Sequence, residues 1–243
     1  MILKQLPLSQ VKYLHANLDS IQQLNHSLSS IFKPSLKNFT QFMSAKGFLP
    51  EDHLVLVDPL LKFSPKLWVL LKGFGHENVS VYAGSESVLE SSHQASSPSN
   101  YLSHPDPDRF VDYETMRSKL ADFMTHEPIK IIDTREHHAW AGYDTSLDMG
   151  GHIPTSINIP HSQFFSKDTH TFIPQKDMIQ LLAEKKLSLK DASPWVVLSD
   201  HGYSASSFIL LMHSLGRTQK TALYTGNWIE WAKAKDSFIH RYR

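Results

Sequence analysis

One order of elements occurs twice in this chain, and it leaves few folds open. In "HLVLVD" (residues 53–58) a β-branched apolar run ends at Asp58, as a buried strand would. A turn follows, Pro65 stands at a helix start, "KLWVLLKGFG" closes on glycine, and "NVSVY" supplies the next strand. The order returns as "PWVVLS" (194–199), the turn "DHGYSA", the helix "SSFILLMHSLG" and the strand "TALYTG". A strand that reaches the next strand through a helix is a βαβ unit, and such crossovers give parallel strands covered on both faces. The matching stops "GFG" and "SLG" suggest a diverged duplication, so the chain reads as α/β with two small domains.

Further elements precede the second unit: a helix in "DYETMRSKLADFM", a strand in "IKIIDTR", a turn and short strand in "GHIPTSINIP", and a helix in "PQKDMIQLLAEKKL". From about Gly84 to Asp112 the residues are mainly Ser, Pro, His and Asn, the composition of a linker. The expected division is a first domain over 1–90, a linker over 91–112 and a second domain over 113–243. The first domain has room for about two helices ahead of "HLVLVD" but no "GHIP"-like turn, and is reduced for that reason.

Composition narrows the function. Lys plus Arg and Asp plus Glu both number 24, so no net field attracts nucleic acid or an acidic membrane. No run of about 18 apolar residues occurs and the first residues lack a signal-peptide core, which gives the expectation of a soluble, cytoplasmic protein. There is no cysteine, hence no disulfide, thiolate metal site or cysteine nucleophile. The 15 histidines show no metal-binding spacing, and neither a metal nor another cofactor is expected.

In a doubly wound sheet, ligands sit beyond the carboxyl ends of strands, where loops enter helices. Ser199 to Ala205 occupies that place. Its backbone N–H groups and the helix dipole suit an oxyanion, Gly202 permits positive φ, and Ser204 or Ser206 can cap the helix. The same residues also suit a plain strand-to-helix turn. Ser199, Asp200 and His201 are consecutive on a curved loop and project differently, which argues against a hydrolase triad. A separate base, such as His152, would be needed.

Several stretches together resemble one family. "IIDTRE" (131–136), "GHIPTSINIPHSQFF" (151–165), the loop followed by "SFILLMHSLG", and "YTGNWIEWA" (224–232) are similar to a rhodanese domain. In the first half, "VKYLHANL", "VLVD" and "FSPKLWVLLKGFGHENVSVYAG" are similar to the inactive N-terminal domain of tandem-domain thiosulfate or 3-mercaptopyruvate sulfurtransferases. The resemblance implies two tandem rhodanese-like α/β domains, each a mostly parallel sheet flanked by helices. It also implies a loop of the form Cys-x-x-Gly-x-x-Ala whose thiolate carries sulfur. Counting back from Gly202 and Ala205 puts that cysteine position at Ser199, with Asp200, His201, Tyr203 and Ser204 completing the anion-binding loop.

A serine hydroxyl stays protonated at neutral pH and forms no comparable persulfide. The segment from Glu136 to Gly151 holds neither Arg nor Lys, Ala139 stands where active members have arginine before an aromatic residue, and Asp200 puts negative charge at the loop. Arg135, Trp140, His152, Trp228 and Glu230 are pocket or structural residues: Arg135 in an ion pair near the strand end, Trp228, Glu230 and Trp231 in core packing with a helix-turn ion pair. Asp58, the counterpart of Ser199 in the first half, stabilises its own turn.

These features point to a pseudoenzyme with a binding or regulatory role toward a small anion or thiol, or toward an unidentified protein through Trp140, Tyr203 and the Ser-rich linker. The alternative is an active sulfurtransferase whose native loop cysteine was replaced by Ser199 in an engineered variant.

Overall fold

Both βαβ patterns form parallel sheets, each in its own unit: Met1–Pro107 and Asp108–Arg243. The computed structural model describes residues 11–16, 18–25, 33–84, 97–122, 129–143, 150–217 and 221–242. No helix among them is long and apolar enough to cross a membrane.

In the first unit, β1 (Val11–His15), β2 (His53–Val57) and β3 (Val79–Tyr82) lie in the order β1-β2-β3, all parallel. Helices α1 (Leu18–Asn25) and α2 (Leu36–Ala45) fill the first crossover, and α3 (Ser64–Gly73) the second. The N-cap of α2 is Ser35, whose Oγ accepts from the Asn38 N–H at 3.1 Å. Pro65 stands in the first turn of α3, as expected, and every residue of that helix is buried. The glycine stop is demanded by geometry: Gly75 has φ of 90°, and a Cβ there would come within 2.2 Å of the His104 carbonyl oxygen. The strand β1 lies in the stretch "VKYLH", which carried no strand assignment from its sequence pattern; pairing with β2 makes it one.

Residues 97–107, placed in the linker from composition, pack on the first unit instead. The Ser99 N–H donates to the Ser44 carbonyl at 2.9 Å, and Tyr101 is 1% exposed. The Tyr101 hydroxyl pairs with Nδ1 of the fully buried His76 at 2.9 Å, and its ring meets Phe39 edge-on while Phe39 stacks on Phe74 at 4.4 Å. One aromatic anchor is enough to turn a polar segment into part of a core. Phe110 and Val111, also inside the expected linker, form β4 (Phe110–Val111) of the second unit. Residues 91–96 lie outside the described residues.

The second unit has a five-stranded parallel sheet in the order β4-β10-β9-β5-β6, from β5 (Lys130–Asp133), β6 (Ile157–Asn158), β9 (Trp195–Leu198) and β10 (Thr221–Tyr224) with β4. Its helices are α4 (Tyr113–Asp122), α5 (His137–Ala141), α6 (His161–Phe164), α7 (Gln175–Glu184), α8 (Tyr203–Ser214) and α9 (Asn227–Lys233). A short antiparallel pair, β7 (Phe165–Ser166) with β8 (Thr171–Phe172), lies apart from the main sheet. All four residues of central β9 are buried, as the unbroken run "WVVL" requires for a strand covered on both faces. Val196, Leu198, Ile131, Met116, Trp228 and Trp231 belong to one core cluster.

Burial holds the His76 pKa down to about 4 from an ordinary 6.5, against the upward pull of nearby Asp52. A depressed imidazole pKa contributes stability that is complete above pH 6.5 and is lost as the pH falls toward 4. The full loss is about 3 kcal/mol at about 1.4 kcal/mol per pH unit. Urea unfolding of the whole chain at pH 7.5 and pH 4.5 should show a loss for wild type that His76→Gln reduces; equal losses in both would contradict a buried neutral His76.

Candidate functional site: the loop after the central strand

The chain leaves β5 toward β6 and leaves β9 toward β10, in opposite directions across the sheet. The carboxyl ends of β5 and β9 therefore border the crevice where this class of sheet binds ligands. Thr134 and Ser199 are the first residues past those ends, and they are 1% and 2% exposed. The Thr134 hydroxyl donates to the Leu198 carbonyl at 3.0 Å and so accepts from Ser204 Oγ at 2.8 Å.

The loop closes on itself. Ser199 Oγ accepts the Gly202 N–H at 2.8 Å, and the Ser199 carbonyl accepts the Trp228 N–H at 2.9 Å. Gly202 has the expected positive φ, 77°, immediately before α8. Ser204 and Ser206 do not cap that helix as anticipated: Ser204 turns to Thr134, and Ser206 donates from both its N–H and its hydroxyl to the Gly202 carbonyl. No side chain caps α8, and the Ser199 hydroxyl closes the turn ahead of it instead. Asp200 and His201 are exposed, Ala205 is buried, and Tyr203 is half-buried with its phenol pKa raised by desolvation.

The first unit shows the same turn filled differently. Asp58, directly after β2 and 5% exposed, accepts from the N–H groups of Leu60 at 3.2 Å, Phe63 at 2.7 Å and Ser64 at 2.8 Å. A carboxylate from the chain thus occupies an amide cradle at a helix start, which is what an external oxyanion would do.

The remaining residues singled out from sequence divide into two groups. Arg135 is 3% exposed and grips the Asp133 carboxylate with Nε at 3.1 Å and Nη2 at 2.7 Å. Its Nη2 also donates to the Gly151 carbonyl at 2.7 Å, and the guanidinium lies 4.1 Å from the Trp228 ring centre. Trp228 and Trp231 are core residues, as expected. Glu230 makes a hydrogen bond rather than the anticipated ion pair: it accepts the Tyr224 hydroxyl at 2.9 Å, and burial together with that carboxylate pushes the tyrosine pKa up.

Trp140 and His152 form the second group, away from the loop. Their rings stack at 4.0 Å, His152 Nδ1 donates to the Trp140 carbonyl at 2.8 Å, and Trp140 Nε1 donates to Ser156 Oγ at 2.9 Å. Burial lowers the His152 pKa. Its ring partners are Trp140, His240 and Tyr242, so it is not the base for Ser199 that the sequence left open. Trp140 is only 8% exposed, which also removes it from the protein-contact surface considered from sequence.

Sequence reasoning missed the C-terminal residues that cover this group. His152 and His240 pair as an antiparallel bridge, and the Tyr242 N–H donates to the Ala141 carbonyl at 3.0 Å. A signal was present in the Gly150–Gly151 pair: Gly151 has φ of 120°, and a Cβ there would lie 2.6 Å from the His240 carbonyl oxygen. No group of three or more His, Asp or Glu side chains is placed to hold a metal among the described residues.

Residues 116–234 match the Rhodanese-like domain family, so the second unit is a rhodanese-like domain. The human 3-mercaptopyruvate sulfurtransferase is 25% identical over 211 residues, an alignment covering 82% of this chain and 68% of that protein. The Gallus gallus thiosulfate sulfurtransferase is 26% identical over 209 residues, covering 82% and 70%. Among solved structures, the Tum1 protein from Saccharomyces cerevisiae superposes with a TM-score of 0.73 at 22% identity, over 92% of this chain and 81% of that one. SseA from Escherichia coli, described as a 3-mercaptopyruvate sulfotransferase with the rhodanese fold, superposes with a TM-score of 0.68 at 18% identity, over 90% and 93%. The whole chain is α/β with two tandem rhodanese-like domains. It resembles the thiosulfate and 3-mercaptopyruvate sulfurtransferases over most of its length.

Removing one partner of a buried ion pair leaves the other charge uncompensated, at a cost of about 3–5 kcal/mol. Arg135→Ala should lower the stability of the second unit by that amount in urea unfolding. Arg135→Lys should also destabilise, because one ammonium does not reproduce the bidentate grip on Asp133 with the bond to Gly151. A loss below about 1 kcal/mol for Arg135→Ala would contradict a structural role.

Proposed function

We propose that this chain is a rhodanese-like binding protein that does not transfer sulfur. One observation carries the reading: Ser199, which the family resemblance assigns to the sulfur-carrier position, presents a hydroxyl, 2% exposed, already engaged with the Gly202 N–H. Sulfur transfer needs a thiolate that attacks the donor's outer sulfur, holds it as a persulfide and releases the rest of the donor as an anion. Ser199 offers no such nucleophile near neutral pH, where a serine hydroxyl stays protonated. Its hydroxyl also takes up an N–H that an anionic sulfur species would otherwise use.

The surroundings support the same conclusion. Ala139 leaves the donor's anionic group without the arginine that the family resemblance implies, and the exposed Asp200 repels anions at the loop entrance. The first unit sets a precedent within the same chain, since its equivalent turn is satisfied by Asp58 and presents no nucleophile. The expected ligand class remains a small anion or thiol, held weakly by the loop's backbone.

Sulfur transfer from thiosulfate and from 3-mercaptopyruvate, to cyanide and to dithiothreitol, tests this directly. Wild type should give no turnover above the uncatalysed rate, and Ser199→Cys only a low rate, because the thiol returns without the missing arginine. Clear turnover by wild type would overturn the proposal, and full activity in Ser199→Cys would show a binding site still built for catalysis.

A further inference from the structure

A second concavity of the rhodanese-like domain has no part in the loop just described. It is an open cleft of about 480 Å³, within the range of small-molecule sites, between α5, the edge strand β6, the end of α7 and the C-terminal residues. Trp140, Tyr143 and Tyr242 give it aromatic walls, Ile157 an apolar patch, and His137 and Lys185 its titratable groups. Among the described residues no carboxylate lines it.

Three observations point to one class of ligand. First, Tyr143 and Tyr242 are 60% and 47% exposed, although the unit buries Trp195, Tyr224 and Trp231 to 1% or less. Aromatic faces left open at the mouth of a concavity suit a flat apolar group. Second, Lys185, at the C-cap of α7, makes no ion pair among the described residues, and none of the described lining residues balances its charge. An aromatic cage for a cation would lack that ammonium.

Third, the His137 ring is held in a defined state. Asn158 Nδ2 donates to the Asp133 carbonyl at 3.0 Å and to the Arg135 carbonyl at 2.9 Å. Its Oδ1 therefore faces His137 Nδ1 at 3.2 Å, which must carry the proton. In that tautomer Nε2 is the acceptor.

We infer that this pocket binds a small planar aromatic carboxylate that also carries a hydrogen-bond donor. The carboxylate pairs with Lys185, the ring lies against Tyr143 and Tyr242, and the donor meets Nε2 of His137. The ligand class follows from the pocket alone and does not depend on whether the Ser199 loop carries sulfur.

Titration of the whole chain with 4-hydroxybenzoate, benzoate and 4-hydroxybenzyl alcohol, followed by saturation-transfer NMR, tests the assignment at pH 7.5. 4-Hydroxybenzoate should bind with a Kd of about 1 mM or tighter, the range open to ten non-hydrogen atoms. The neutral alcohol should bind roughly fivefold to tenfold more weakly, and Lys185→Gln should weaken 4-hydroxybenzoate by a similar factor. His137→Ala should abolish the preference for 4-hydroxybenzoate over benzoate, and Tyr143→Ala should weaken both. Lys176→Gln, an exposed lysine in the first turn of the same helix, should leave binding unchanged. All these side chains lie at the surface or pocket rim, so the variants keep the fold. Absence of saturation transfer at 10 mM probe, or binding that Lys185→Gln and Tyr143→Ala leave untouched, would overturn the assignment.

Discussion

The buried pair of Asp133 and Arg135 joins the parts of the rhodanese-like domain that lie far apart in sequence. Asp133 ends β5, and the guanidinium reaches past it to the Gly151 carbonyl and lies against Trp228 at the start of α9. Trp228 in turn donates its N–H to the Ser199 carbonyl, and Asn158 on β6 binds the carbonyls of both Asp133 and Arg135. Strand ends, the "GHIP" turn and the loop are therefore registered by one cation whose donors go to protein acceptors. A charge so deeply buried is tolerated because a carboxylate, a carbonyl and an aromatic face replace its water.

The loop beyond β9 obeys the same accounting for backbone groups. A turn that leads from a buried strand into a helix leaves N–H groups without partners in either element. The two units answer this in two ways: Asp58 supplies a carboxylate to three N–H groups, and Ser199 supplies a hydroxyl to one. Each answer stabilises the turn from within. In both units the turn is complete without a bound species, so the fold does not depend on one.

Local rules carried much of this fold into view from sequence. The buried runs "HLVLV" and "WVVL", the glycine stops and Pro65 identified the βαβ units, because strand burial and helix termination depend on neighbouring residues. Composition extends the linker too far on both sides for the opposite reason. Its composition is polar, but Tyr101 finds His76 and Phe39, and Val111 finds β10, over distances that no window of residues can register. Ser204 and Ser206 likewise have the type and place of helix caps, yet Thr134 and the Gly202 carbonyl take their hydroxyls.

By itself the sequence determined the fold class and the place of the loop, since both follow from residue type, order and spacing, while the reading of Ser199 as the sulfur-carrier position rests on the family resemblance. Only the tertiary structure decided what those residues touch. It sent Arg135 to Asp133, brought His152 under Trp140 and His240, and turned the Ser199 hydroxyl to Gly202. It also gathered His137, Lys185 and two open tyrosines around one pocket from positions spread over more than a hundred residues. Side-chain partners across such separations are chosen by the packing of the whole sheet, and that choice leaves no local mark in the chain.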